Sequence, residues 1–182
     1  QVRSFENLKD IYLKSVGGNT TLLLNIPPMK NGRIHETDAA NLKKLGDFIH
    51  KAFRDNLVQT AKITTSPALD AHNHDGDAFR TDDYTTFFVN EEGHQRLTIR
   101  IHWEEEKTLS YLVLKEAIPL SQRVEAFCVR YENNGKLQEY CRGTTIGYKK
   151  IIALDGIQTT TLIIDIEDAR VAPAIAFVGV YE

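Results

Sequence analysis

The chain has 182 residues, of which 42% are hydrophobic and 26% charged, and its formal net charge is -3. This composition is typical of a folded globular protein. Both signs of charge are interspersed and no stripe of Lys and Arg occurs, so we expect no nucleic-acid partner. No apolar run approaches the roughly 20 residues that span a bilayer, so we expect no membrane partner.

The first 55 residues alternate between helical and extended patterns. Ser4 is a typical N-cap and predicts a helix over Phe5–Ser15. An unbroken apolar run over residues 22–26, between a glycine pair and a proline pair, predicts a strand buried on both faces, as in a parallel sheet or barrel. Thr37 is predicted to cap a second helix. The order of helix, buried strand and helix indicates an α/β element.

From about residue 56 the pattern changes to short alternating stretches. Residues 61–74 predict an edge strand followed by a loop. The alternating stretches that follow, separated by Gly-containing turns, predict about eight strands. They are residues 85–89, 96–102, 108–115, 123–131, 136–142, 148–154, 160–166 and 174–181. We therefore predict a mainly β fold in which residues 56–182 form a jelly-roll β-sandwich domain, preceded by a separate unit over residues 1–55.

The two cysteines flank a predicted hairpin. If residues 134–135, Asn-Gly, form a two-residue turn, Arg130 faces Glu139 and Cys128 faces Cys141. The cysteines would then form a non-hydrogen-bonded pair, in which side chains lie closest and a disulfide can form. A three-residue loop would shift the register by one and mix the apolar and polar faces, so the first register is favoured. Two reduced thiols are the alternative to the disulfide, and both states stay open because the compartment is unknown.

Segments in both halves of the chain resemble one enzyme family. Three segments of the first half are KSVGGNTTLLLNIPP at residues 14–28, GRIHETD at 32–38 and LKKLG at 42–46. They resemble the end of the catalytic barrel in α-L-fucosidases of glycoside hydrolase family 29. Four segments of the second half are EAI at residues 116–118, QRVE at 122–125, GTTIGYK at 143–149 and VGVY at 178–181. They resemble the galactose-binding-like sandwich at the C-terminus of the same enzymes. Both sets occur in the family's order.

The resemblance implies a place for the first half in a barrel. Residues 21–26 would be the eighth strand of a (β/α)8-like barrel, and the helix after Thr37 would close it. Active sites of such barrels lie at the C-terminal ends of the strands, which puts Asn25 and His35 near the mouth. Residues 1–55 would then be the end of the catalytic barrel. The expected partners of its exposed strand are the rest of the barrel or a second copy of the chain.

The resemblance also implies a function. The family is retaining, and its two catalytic carboxyl groups, which a retaining mechanism holds about 5 Å apart, precede these segments in the family's order. No residue of this chain matches their motifs, so we expect no catalytic residue here and no fucoside cleavage by this chain alone. We interpret Gln1 as a cut within a longer protein. The expectation is a C-terminal fragment of a secreted or periplasmic α-L-fucosidase.

A sugar-binding sandwich usually presents an exposed aromatic platform with nearby polar side chains. The aromatic residues that can supply the platform are Trp103, Tyr148, Tyr84 and Phe79. The polar residues that can bind sugar hydroxyls are His72, Asp77, Arg80 and Arg123. The expected ligand is a fucosylated or other carbohydrate. Alternating aromatic residues are also typical of a core, and Arg123 can instead pair with Glu116 or Glu125.

Residues 72–77, HNHDGD, are the segment richest in metal-ligating side chains. Some galactose-binding-like domains hold calcium with carboxylate and carbonyl oxygens, but their additional Glu near the C-terminal strand is replaced here by Ala176. Zinc binding through His72 and His74 lacks a second ligand pair. We therefore favour a polar loop over a calcium site, and expect no metal and no cofactor.

Three consecutive glutamates at residues 104–106 resemble a catalytic cluster only superficially, because neighbouring strand positions point to opposite faces. They predict a solvated turn between two strands. Two alternatives to an accessory module of a fucosidase stay open: a free-standing carbohydrate-binding module, and a sandwich that only braces the barrel.

Overall fold

A computed structural model describes residues 3–66 and 76–182, and only the backbone of Gly76 and Asp77. In this described part, helices α1 (Phe5–Ser15) and α2 (Glu36–Ala52) precede seven strands. The strands are β1 (Lys62–Ser66), β2 (Phe88–Val89), β3 (Leu97–Glu116), β4 (Val124–Asn133), β5 (Lys136–Gly143), β6 (Lys150–Ala169) and β7 (Ala174–Tyr181). All the described strand pairs are antiparallel, which confirms the predicted mainly β fold class.

The two longest strands, β3 and β6, each run through both layers of a sandwich. The first half of β3 pairs with β1 and with the second half of β6, which also pairs with β4. The second half of β3 pairs with β7 and with the first half of β6. We call the layer that contains β1, β4 and β5 the free sheet, and the layer that contains β2 and β7 the covered sheet. Their inner faces form the main core, which includes Trp103, Leu112, Val129, Ile164 and Val178.

The outer face of the covered sheet is packed against the helices. Leu8 and Tyr12 of α1 and Leu45 of α2 form a second core with side chains from β3, β6 and β7. Those strand residues are Val113, Ile151, Phe177 and Tyr181. Every residue of β7 is buried, because this strand has the sandwich core on one face and the helices on the other. None of the described helices is long and apolar enough to span a membrane.

The helix starts follow local capping chemistry. Ser4 Oγ accepts a hydrogen bond of 3.2 Å from the backbone N–H of Asn7, which confirms Ser4 as the cap of α1. The predicted cap of α2 is wrong. His35 caps this helix, because its Nδ1 accepts from the backbone N–H of Thr37 at 3.2 Å and thereby starts the helix before Thr37.

The predicted buried strand over residues 22–26 is wrong for this chain. The segment has no strand pairing, and the side chain of Leu23 is 92% exposed. Leu22 and Leu24 are half-buried and pack against the helical core, so burial still alternates along an extended backbone. One face of the segment is therefore covered by helices, whereas the opposite face and the backbone groups lie open to solvent.

Two predicted turns are irregularities inside continuous strands. Residues 104–106 lie within β3, where its register against β6 shifts between His102 and Lys107, although the three glutamates are exposed as expected. Asp155 and Gly156 have positive φ values of 51° and 73°, and they lie within β6 at a second register shift. Shifts of this kind bend and twist a strand without ending it, so β3 and β6 pass from one sheet to the other.

The β4–β5 hairpin has the predicted turn, but the cysteines do not face each other. Arg130 pairs with Glu139 as predicted, and a bulge then shifts the register so that Cys128 pairs with Arg142 and Cys141 with Val129. Cys141 shares a face with its partner Val129 and packs against the main core. Cys128 precedes Val129 in β4 and therefore points to the other face of the sheet. Both thiols are free, so the predicted disulfide is wrong in this structure. Side chains on opposite faces of a hairpin cannot be bridged without moving the backbone.

Candidate carbohydrate-binding site

One predicted platform residue, Tyr148, lies on the surface and is stacked on a second tyrosine. Its side chain is 58% exposed, and its ring lies 5.8 Å from that of Tyr84 with an angle of 28° between the planes. The Tyr84 hydroxyl also donates to the backbone oxygen of Tyr148 at 3.3 Å. Offset stacking of this kind orients the two rings, and the exposed face of Tyr148 can pack against the apolar face of a sugar. We call Tyr84 and Tyr148 the tyrosine pair.

The loop that carries Tyr148 is held by hydrogen bonds to its backbone. The Tyr148 N–H donates to Asn19 Oδ1 at 2.5 Å, which ties the loop to the segment after α1. The neighbouring Gly147 N–H donates to Glu116 Oε2 at 2.6 Å, and Gly147 O accepts from the Glu116 N–H at 2.9 Å. Gly147 has a φ of 64°, and a Cβ at this position would clash with the side chain of Asn19. The platform therefore rests on a rigid loop.

Charged side chains lie near the tyrosine pair, since Asp82 acts on the pKa of Tyr84 and Lys149 follows Tyr148 in the chain. Asp82 and Lys115 form an ion pair of 2.6 Å in which the lysine side chain is only 12% exposed. Burial, and then the proximity of Tyr148 and Asp82, raise the pKa of Tyr84 to about 12. Burial and the charge of Lys115 lower the pKa of Lys149, against the opposing effect of Asp82. An aromatic face with carboxylate and ammonium groups beside it has the chemistry that binds a polyhydroxylated ring.

Two aromatic candidates belong to the core and are corrected. Trp103 is 1% exposed, and its indole N–H donates to Leu57 O at 2.9 Å. Phe79 is fully buried and stacks with Phe88, with ring centroids 5.1 Å apart. Neither ring offers a face to a sugar: Trp103 lies at an inward-facing position of β3, and Phe79 ends a short 3-10 turn with its ring in the core.

The two arginine candidates bind backbone carbonyls. Arg80 donates to Val58 O and, at 2.8 Å, to Ala61 O. Arg123 donates through Nε to Leu120 O at 3.1 Å and through Nη1 to Ala172 O at 2.7 Å. The side chain of Arg123 pairs with neither Glu116 nor Glu125. Instead, its backbone N–H donates to Glu116 Oε1 at 2.7 Å. Both guanidinium groups thus tie loops together and are not directed at a ligand.

The remaining polar candidates give no site in the described structure. His72 lies outside the described residues, and no side chain is described for Asp77. Among the side chains that the structure does describe, no group of three His, Cys, Asp or Glu residues is arranged to hold a metal ion. The predictions for His72, Asp77 and calcium stay predictions.

The two residues predicted near a barrel mouth, Asn25 and His35, have different roles in the structure. Asn25 lines a hollow of about 200 Å³ between the helices and the extended segment, with Arg3, Leu24 and Asp38 among the other lining residues. His35 is exposed and serves as the cap of α2. Asn25 and His35 therefore lie on the same connection between α1 and α2, and of the two Asn25 alone is among the residues that line the hollow.

Three residues that support the tyrosine pair were not among the sequence candidates. Asp82 and Lys115 meet across 33 positions of sequence, and Asn19 reaches Tyr148 from the far end of the chain. Such pairings depend on the fold. The local signal that was available for Asn19 is its position after two glycines, since Asn at that place adopts a positive φ, here 68°.

The fold is a β-sandwich module joined to a pair of helices, and solved glycoside hydrolases of family 29 contain the same fold over nearly the whole of this chain. Over nearly its whole length, the chain resembles the C-terminal part of the α-L-fucosidases in this family, which confirms the resemblance seen in the sequence. α-L-Fucosidase 1 of Arabidopsis thaliana is 27% identical over 179 residues, which cover 96% of this chain and 35% of that protein. A family 29 fucosidase of Ruminococcus gnavus, solved in complex with fucose, is 26% identical with a TM-score of 0.90 and covers 99% of this chain and 37% of the other.

The chain corresponds to only part of each of these relatives. The chain spans about a third of the length of the curated relatives that it matches. It matches no family model. A chitosan-binding module from a Paenibacillus chitosanase/glucanase shares the fold alone, with 13% identity and a TM-score of 0.61, and the match covers 72% of this chain and 99% of that module. The sandwich thus has the fold of a module whose structure was solved separately from the enzyme it derives from.

Proposed function

We propose that this chain is the C-terminal part of a retaining α-L-fucosidase, an enzyme that hydrolyses terminal α-L-fucosyl linkages. The observation that carries the proposal is the match of 99% of the chain, at a TM-score of 0.90, to a fucosidase solved with fucose. A secreted or periplasmic location is part of the same proposal, because the glycans that carry fucose lie outside the cytoplasm.

In this proposal the first half of the chain completes the catalytic barrel of the parent enzyme. Leu22 and Leu24 lie against the helices, as the outward face of a barrel strand does, and Leu23 would point to the barrel interior. The unpaired backbone of residues 21–26 would hydrogen-bond to the neighbouring barrel strands, because open strand edges readily accept a further strand. The rest of the barrel is thus the proposed partner of this segment.

The sandwich is the proposed accessory site for carbohydrate. Tyr148 provides an exposed ring whose position is set by Tyr84, Gly147 and Asn19. A preorganised aromatic face loses little conformational entropy when it binds, which favours its use as a sugar platform. The expected ligand is a fucosylated or related oligosaccharide, bound next to the substrate that the barrel cleaves.

The catalytic part of the proposal is tested with the enzyme that carries this sequence together with a complete barrel. Hydrolysis of an aryl α-L-fucoside is followed by NMR, and we expect the first fucose released to have the α configuration. The 182-residue chain alone is expected to be inactive, because the resemblance places both catalytic carboxyl groups outside it. Release of the β anomer, cleavage confined to other glycosides, or activity of the chain alone would each overturn the proposal.

The binding part is tested by calorimetry on the 182-residue chain with a fucosylated trisaccharide. We expect Tyr148→Ala to weaken binding about tenfold or more, whereas Tyr148→Phe keeps the ring and the affinity. Leu137→Ala is the matched control, because Leu137 is a similarly exposed apolar side chain on β5, with 54% exposure. Equal losses in Tyr148→Ala and Leu137→Ala, or no binding by the unchanged chain, would overturn an accessory binding role.

A structural brace is the second candidate function, and the helix-covered face of the sandwich favours it. Phe177 and Tyr181 of β7 are buried against α1 and α2, so the sandwich and the helices stabilise each other. If bracing is the whole function, removal of the sandwich from the parent lowers its melting temperature and leaves the KM for fucoside unchanged. An increased KM in a parent that stays folded would contradict this second function.

A further inference from the structure

The outer face of the free sheet carries a small hollow built from four polar side chains. Lys62 and Thr64 of β1 lie directly opposite His102 and Arg100 of β3. Cross-strand partners share a face, and alternate residues along a strand do as well, so the four side chains point the same way. They line a hollow of about 230 Å³, which is the size of a single small group such as one sugar residue.

The ion pairs among the described residues leave part of the charge in this hollow unneutralised. Elsewhere on the same face, arginines are neutralised closely, as in Arg130 with Asp165 at 3.0 Å and Arg142 with Glu139 at 2.9 Å. Arg100 has a looser ion pair with Glu132, at 3.5 Å. The ammonium group of Lys62 has no ion-pair partner among the residues that the structure describes. Neither Glu104 of β3 nor Glu132 of β4 is among the described residues that line the hollow.

Neighbouring cations across a strand pair raise the energy of the unliganded protein. Side chains that are directly opposite lie about 5 Å apart and diagonal ones about 7–8 Å, so Lys62 and Arg100 lie within one Debye length of each other. An anion between them removes this repulsion. Arginine binds a carboxylate or sulfate with two parallel hydrogen bonds, and lysine adds a point charge.

The other two side chains select for a hydroxylated ligand. The hydroxyl of Thr64 can donate and accept, and His102, which is exposed, keeps Nε2 for a ligand while Nδ1 contacts Thr161 Oγ1 at 3.0 Å. Among the described residues no Phe, Tyr or Trp side chain lines the hollow, so it differs in chemistry from the tyrosine pair. His102 pairs with Thr161, which lies in the second half of β6, so the hollow lies beside that half of the strand. Tyr148 lies in the loop just before the first half of β6.

We propose that this hollow binds the anionic group of an acidic sugar, a carboxylate or a sulfate ester, with Arg100 and Lys62 holding the anion and Thr64 and His102 holding neighbouring hydroxyls. The site is separate from the tyrosine pair and extends the proposed function by a second contact with an acidic glycan. It would direct the module to glycans that carry both neutral and acidic residues.

The test is calorimetry or NMR titration of the 182-residue chain with four probes, namely galactose 6-sulfate, N-acetylneuraminic acid, galactose and sodium sulfate. We expect one or both acidic sugars to bind, and which of them binds identifies the anionic group. Galactose is expected not to bind at the same concentrations. Binding of the acidic sugars should weaken with added sodium chloride. Failure of both acidic sugars, or sodium sulfate binding as tightly as either of them, would overturn the proposal.

The assignment to these residues is tested with matched variants. Arg100→Ala and Lys62→Ala are each expected to weaken acidic-sugar binding about tenfold, because a charge-assisted hydrogen bond is lost. Lys136→Ala removes the same charge from the exposed tip of the β4–β5 hairpin and should leave binding unchanged. Leu137→Ala, at an exposed position of β5 outside both proposed sites, should also leave it unchanged. Equal weakening by Lys62→Ala and Lys136→Ala would show that only net charge matters and would overturn the site.

Discussion

The Glu116 carboxylate, which is fully buried, receives a hydrogen bond of 2.6 Å from the backbone N–H of Gly147. Its other oxygen accepts from the N–H groups of Arg123 and Val124, at 2.7 and 2.9 Å. One side chain at the end of β3 therefore fixes the start of β4 and the loop that carries Tyr148. A buried carboxylate is tolerated only where hydrogen bonds compensate for its lost hydration, and here three backbone donors do so.

Replacement of Glu116 by Ala should destabilise the chain by about 3–5 kcal/mol, because three buried N–H groups lose their acceptor. The matched control is Glu125→Ala, since Glu125 is exposed and only pairs with Arg170 at 2.7 Å. The control should change stability by about 0–1 kcal/mol. Urea unfolding measures both variants. Similar midpoints for the two variants would contradict the role assigned to Glu116.

Gly147 gives a second test of the platform loop. Its φ of 64° disfavours a side chain, and a Cβ would also clash with Asn19. Gly93 has a φ of 87° with open space around its Cβ position, so Gly93→Ala reports the cost of the backbone conformation alone. We expect Gly147→Ala to lose at least about 1 kcal/mol more than Gly93→Ala. Thermal unfolding of the two variants provides the comparison, and equal melting temperatures would contradict the predicted clash.

Alkaline pH should unfold the chain through three tyrosines whose pKa values are raised in the folded state. Burial is the main cause that raises the pKa values of Tyr84, Tyr140 and Tyr181 to about 12. In the unfolded chain these groups ionise near pH 10. Their contribution to stability is therefore complete below about pH 10 and is lost as the pH rises through about 12. Phenolate absorbance and circular dichroism, recorded together from pH 9 to 13, should show these tyrosines ionising only as the fold is lost. Ionisation of all tyrosines near pH 10 with the fold intact would exclude this account.

The thiols provide a check on the hairpin register. Burial is the main cause that raises the pKa values of Cys128 and Cys141, so little reactive thiolate exists at neutral pH. We expect both thiols to react slowly with a thiol reagent in the folded chain and rapidly in urea, and two alkylated cysteines to appear by mass spectrometry without reductant. A mass that corresponds to one intact disulfide would support the register predicted from the sequence, in which Cys128 faces Cys141.

The elements that the sequence predicted well are those set by local chemistry. Ser4 has a side chain that can cap a helix, and the Asn-Gly turn fixes the pairing of Arg130 with Glu139. The same hairpin shows where prediction fails, because Tyr140 is an extra residue of β5 between the pairs Arg130–Glu139 and Val129–Cys141, while β4 keeps a regular register against β6 at these positions. The alternating pattern of the sequence contains no signal for this bulge.

The candidate site was predicted only in part for a similar reason. Tyr148 could be selected as an aromatic residue in a loop, but Trp103 and Phe79 carry the same residue-level signal and are buried. Which side of a strand faces the core depends on register, and a shift by one residue exchanges the two faces. The hollow at Lys62 and Arg100 depends on the pairing of β1 with β3 across 38 positions or so of sequence, and periodicity does not specify this pairing.

The exposed Leu23 gives a prediction that separates this chain from a complete barrel. Its side chain is 92% exposed, so Leu23→Ser should change the unfolding free energy of this chain by less than about 0.5 kcal/mol. Leu24, which packs against the helical core, is the matched control, and Leu24→Ser should lose about 1–3 kcal/mol. In the parent enzyme, both substitutions should destabilise, because there Leu23 would lie inside the barrel. Urea unfolding of the two variants in both backgrounds tests this, and a Leu23→Ser parent as stable as the unchanged parent would contradict the placement of residues 21–26 as a barrel strand.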